Sequence, residues 1–121
     1  LSDDRPDQAR ERERHDRQPA QDTELRERIA GLLAGGLDTD WRIRADDSER
    51  FHAVTAALRA AGGDLAAKLR IAGFTAHPVP HEGIDQSCES CMYYLVHRRF
   101  CALPEIDLPV LAEWSCNVWR V

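Results

Sequence analysis

The sequence predicts a small α-rich domain: three short helices, then an irregular C-terminal lobe organised by a metal centre. Three observations lead there. Apolar residues recur at helical spacing between residues 22 and 73, in three runs each closed by glycine. From residue 74 onward, prolines interrupt regular patterns. All 4 cysteines fall in the last third of the chain.

Residues 1–21, LSDDRPDQARERERHDRQPAQ, come first, with almost no apolar side chains. Such a segment buries too little surface to offset its chain entropy and reads as a charged, disordered tail. An arm that orders on a partner is the functional alternative. The helical region, 22–73, opens near Asp22 or Thr23, either of which accepts hydrogen bonds from the free N–H groups of a first turn. Leu25, Ile29, Leu32 and Leu33 share a face, and Gly35–Gly36 end the helix. The link LDTDWRIRADD leaves room for a short extended piece around Trp41 and Ile43. Asp47 or Ser48 caps a second helix, with Phe51, Val54, Leu58 and Ala61 on one side and Gly62–Gly63 closing it. Asp64 caps a third, shorter helix that ends at Gly73.

The cysteine-rich lobe spans 74–121. Pro78 and Pro80 make residues 74–84 an irregular joint. His77 and His81 lie there, as exposed loop histidines or as metal ligands or donors near a metal. Farther on, CALPEIDLPVLAEW carries Pro104 and Pro109, so a wrapping loop with at most a short strand or turn is expected.

Composition limits the function. The 121 residues suit one domain, and the net charge of -5 with 43% hydrophobic residues suits a folded acidic protein. Much of the apolar content is alanine, and small cores of that kind lean on a staple such as a metal or a disulfide. No run approaches the ~20 apolar residues of a membrane span. The expected location is cytoplasmic, with export left open because the native N-terminus is not visible. A pI near 5.5 does not suit a nucleic-acid binder.

The cysteines follow the pattern Cys88-x2-Cys91-x9-Cys101-x14-Cys116. Two intervening residues let Cys88 and Cys91 turn both thiolates to one metal, which suits zinc and iron–sulfur clusters alike. Disulfides in an oxidising compartment and four independent buried thiols are the other readings. Structural zinc usually takes two paired knuckles, whereas this chain has one CxxC and two single cysteines. A cubane cluster is larger than one ion and is reached from several directions. Aromatics crowd the segment too: Tyr93, Tyr94, Phe100, Trp114 and Trp119 lie within a few residues of a cysteine. Arg98, Arg99 and Arg120 are placed to offset cluster charge, and Arg98 and Arg99 also suit a docking patch.

One CxxC, then CALP, then a final cysteine between tryptophans in WSCNVW, resembles the high-potential iron–sulfur proteins (HiPIPs) over residues 85–121. The resemblance implies one [4Fe–4S] cluster held by Cys88, Cys91, Cys101 and Cys116. It also implies a wall of Tyr93, Phe100, Trp114 and Trp119 around it. One-electron transfer with a redox protein partner, as a carrier or as a small subunit of a larger complex, is the expected function. The alternative is a structural module, folded by Zn2+ or by a cluster, for interaction with protein or, less favoured, nucleic acid. Enzyme activity by the chain alone is not expected. It has no phosphate-cradling glycine loop and no Gly-x-Ser-x-Gly turn, and HEGID lacks the second histidine of a zinc protease helix.

Overall fold

Asp47 accepts a hydrogen bond from the backbone N–H of Arg50 at 2.8 Å, and Asp64 accepts one from that of Ala67 at 3.1 Å. These two side chains start α2 (Ser48–Ala61) and α3 (Leu65–Ile71), as their positions ahead of the apolar runs predict. The computed structural model describes residues 19–121, and most of the charged tail expected over 1–21 lies outside them. Its last three residues belong to α1 (Pro19–Ala34). That helix therefore starts earlier than Asp22, with proline at a position where a missing N–H costs nothing.

Asp22 is not a cap. It is buried in α1 beside Arg26 and Ile29, and its carboxylate receives the Arg98 guanidinium at 2.8 and 3.2 Å. Leu25, Leu32 and Leu33 flank this buried face and are only partly covered. The inward face of α1 is thus largely polar, because what it meets is backbone. Arg26 donates to the carbonyls of Val110 (3.1 Å), Arg98 (3.3 Å) and Arg99 (3.0 Å).

The link between α1 and α2 contains turns rather than an extended piece, and Ile43 within it is exposed. It crosses the end of α3 at Gly73, which has φ +61°. A Cβ there would sit 2.7 Å from the Asp40 carbonyl oxygen and 2.8 Å from Trp41 Cα, so only glycine permits the crossing.

The fold beyond Gly73 corrects the expectation of an α-rich domain with an irregular lobe. Two small antiparallel sheets make it mixed α/β. In the first, β1 (Val79–His81) pairs with β2 (Ile84–Gln86) through Glu82 and Gly83, both at positive φ, as a two-residue hairpin requires. Pro80 fits because each strand of a two-stranded ribbon has a free edge. In the second sheet, β4 (Phe100–Cys101) lies between β3 (Tyr94–Leu95) and β5 (Leu108–Pro109). Strands of two or three residues are too short to carry a visible alternation.

Helices and lobe share one core. Ile29, Leu58 and Leu69 pack in the same cluster as Phe74, Ile106, Val110, Trp114 and Val118. Asn117 stitches the halves together. Its side-chain amide donates to the carbonyls of Asp40 (3.2 Å) and Ile71 (3.0 Å), and its backbone carbonyl accepts from Ala45 N–H at 2.8 Å. Among the described residues, no helix is long and apolar enough to cross a membrane.

Candidate metal centre

Three separate pieces of chain deliver the four cysteines. A 3-10 turn (Cys88–Ser90) carries the first, and its end presents Cys91. Cys88 N–H donates to the Trp114 carbonyl at 2.6 Å, Cys91 N–H to the Cys88 carbonyl at 3.0 Å, and Glu89 N–H to the Ala112 carbonyl at 3.0 Å. The Trp119 indole N–H donates to the Ser87 carbonyl at 2.9 Å and closes the turn from outside. Cys101 comes from β4. Cys116 follows Ser115, whose backbone exchanges two hydrogen bonds with Thr75 at 2.9 and 3.1 Å.

All four thiols line one cavity, together with Phe74, Tyr94, Val110 and Trp119. The space between them is narrow, about 10 Å³, with room for roughly one water-sized sphere. None of the four is in a disulfide. Cys88 and Cys116 are buried, and Cys91 and Cys101 are partly so. No three of their sulfurs lie within 4.8 Å of one another.

The electrostatics couple the four. Burial pushes the Cys88 thiol well above its usual pKa, and thiolates at Cys116, Cys101 and Cys91 push it further. Burial likewise raises Cys101, with Cys116 adding to the effect and the Leu103 amide, which donates to the sulfur, opposing it. Cys116 is pushed up to about 12 by burial first and Cys91 second, against the Val118 amide and the Arg44 charge. Four thiolates cannot share this cavity without a compensating cation, and thiolate is the form that binds metal.

The metal-free chain therefore has a definite pH response. An unfolded cysteine ionises near pH ~8.5. Folded Cys88, Cys101 and Cys116 hold their protons beyond that, so above it the native state binds more protons than the unfolded state. Stability then falls as pH rises, by up to about 1.4 kcal/mol per pH unit for each thiol. Denaturant unfolding between pH 7 and 10 checks this; stability that stays level or rises above pH 9 would contradict it.

Register explains which aromatics face the site. Tyr94 stands opposite Cys101 across β3 and β4, so their side chains share a face. Tyr93 and Phe100, one residue removed from each, point away. Of the expected wall of Tyr93, Phe100, Trp114 and Trp119, only Trp119 lines the cavity. Phe100 is buried under the Arg98 guanidinium, 3.8 Å from its ring centre, and Trp114 is buried in the core. Val110 comes from the segment CALPEIDLPVLAEW, expected to wrap the site with apolar cover, whereas Phe74 was not anticipated, since it lies in no aromatic–cysteine cluster of the sequence.

The expected charges are also placed differently. Arg98 is engaged by Asp22, Arg120 stacks on Phe51 at 4.4 Å, and Arg99 remains exposed. His77 and His81 do not line the cavity. His77 meets the Pro78 carbonyl, and His81 lies 3.3 Å from Asp46 and 4.0 Å from Glu82 in a largely exposed group. The buried cation on the cysteine side is Arg44, bonded to the Cys116 carbonyl at 2.6 Å, and no motif marks it.

No family model, curated protein or solved structure matches the chain.

Proposed function

We propose that this chain is an iron–sulfur protein that holds one [4Fe–4S] cluster on Cys88, Cys91, Cys101 and Cys116. It acts in one-electron transfer, as a carrier or as a small subunit of a redox complex. The observation that carries this reading is four free thiols that line one apolar cavity. The HiPIP-like pattern of residues 85–121 supports it independently, and free thiols suit a reducing compartment such as the cytoplasm.

When bound, the cluster supplies a one-electron couple tuned by burial, net charge and hydrogen bonds to sulfur. The chain's own residues set those conditions. Phe74, Tyr94, Val110 and Trp119 keep water from the sulfurs. The amides of Leu103 and Val118 favour the thiolate form of Cys101 and Cys116. Exposed Met92, Val96 and Arg99 lie between the partly buried Cys91 and Cys101 in sequence and offer contact to a redox protein.

Purification without oxygen, followed by an absorption spectrum and iron, sulfide and zinc analysis, tests the reading. The expected result is a broad band near ~400 nm with about four irons and four sulfides per chain. A colourless protein with about one zinc per chain would replace electron transfer with a structural zinc module.

A further inference from the structure

Arg44 is 5% exposed. Its guanidinium donates to Gln86 Oε1 from Nε (3.0 Å) and Nη2 (2.7 Å), and to the Trp41 carbonyl from Nη1 (2.8 Å). Nη2 also reaches the Cys116 carbonyl at 2.6 Å and Ser115 Oγ at 3.3 Å. Every one of these acceptors is neutral. Among the described residues, no carboxylate forms an ion pair with Arg44. A buried charge without an opposite charge is strongly unfavourable, and proteins retain one where something nearby balances it. Burial disfavours the Arg44 cation, while a Cys116 thiolate favours it more than Asp46 does. Arg26, the other buried arginine, differs: it lies on α1 with Asp22 one turn away.

We propose that Arg44 is the built-in counter-cation of the cluster. It is a positioning residue that fixes the Cys116 segment and raises the reduction potential. The inference rests on the cluster reading above. Reduction adds one electron from the redox partner and makes the cluster one unit more negative, and a fixed positive charge nearby favours that state. No proton moves, because arginine stays protonated.

Equilibrium redox titration of the cluster-loaded protein tests this. In Arg44→Gln, the ratio of reduced to oxidised cluster at a fixed solution potential should fall about tenfold, a ~59 mV drop for one electron. Gln86→Glu leaves the guanidinium in place but sets a carboxylate on its fork, and should shift the potential in the same direction. Arg44→Lys keeps the charge and should remain near the parent value, as should Arg42→Gln, which removes a solvent-exposed and therefore screened charge. If Arg44→Gln does not load, Gln86→Glu decides. If neither loads while Arg44→Lys does, the charge requirement stands; loss in all three reduces Arg44 to a packing role and overturns the proposal. Unchanged potentials in loaded variants overturn it while leaving the cluster reading intact. A parent protein without a cluster overturns both.

Discussion

Cys116→Ala is expected to abolish cluster loading, and Cys88→Ala and Cys101→Ala are expected to do the same. The chain holds 4 cysteines, and all of them line the one cavity, so no spare thiol can replace a lost ligand. Changes outside the ligand set of a metal site commonly cost 10–100-fold in affinity, and removing a ligand should exceed about 100-fold. Cys116 is the most informative of the three, because its neighbours attach the site to the rest of the fold. Ser115 pairs with Thr75, and Asn117 bonds the carbonyls of Asp40 in the interhelical link and Ile71 in α3. Alanine keeps that backbone and most of the packing, so the apo fold should persist while iron and sulfide disappear. Iron analysis beside circular dichroism separates the two effects. Full iron content in Cys116→Ala would remove this residue from the ligand set, and with it the four-cysteine reading.

Phe74→Ala should give a large loss of stability while sparing the ligands. Phe74 is 2% exposed and belongs to both the shared core and the cavity wall. Its N–H donates to the Leu69 carbonyl at 3.0 Å, and its carbonyl accepts from Thr39 Oγ1 at 2.9 Å. The ring is thus held by fixed backbone that cannot collapse into the space it leaves. Truncating a buried phenylalanine costs about 3–5 kcal/mol, which in a domain of this size lowers Tm by roughly 10 °C or more. Water would also gain access to the sulfurs, so the bound cluster should bleach faster in air. Phe74→Leu should recover much of the stability and part of the protection. A Phe74→Ala protein with parental Tm and parental bleaching would show that the ring is not part of the wall.

Much of the helical half is legible in the sequence. Asp47 and Asp64 act as caps where they precede apolar runs, and glycines follow all three helices. Caps and glycine stops are local: each depends on a few neighbouring residues and on backbone conformation, so one sequence carries them. Asp22 shows where that logic ends. It has the chemistry of a cap but lies inside α1, because Arg98, distant in sequence, offers it a buried partner. The two sheets escaped notice for a related reason. Their strands are two or three residues long, and what stabilises them is pairing between segments, which leaves no periodic trace.

The sequence by itself determined the composition of the site: four cysteines, their spacing, and aromatics close at hand. It also determined the helix starts and stops, through short-range hydrogen bonding. Tertiary structure decided which side chains meet the cysteines. Tyr94 faces the cavity rather than Tyr93 because strand register puts it opposite Cys101. Phe74 and Arg44 reach the site because the bridge between Thr75 and Ser115 and the loop crossing at Gly73 bring distant segments beside Cys116. Burial then turned ordinary thiols into groups that resist ionisation, and left Arg44 a buried charge bonded to neutral acceptors alone. Neither effect exists in the unfolded chain, because solvent exposure and the distance between charges are properties of the fold.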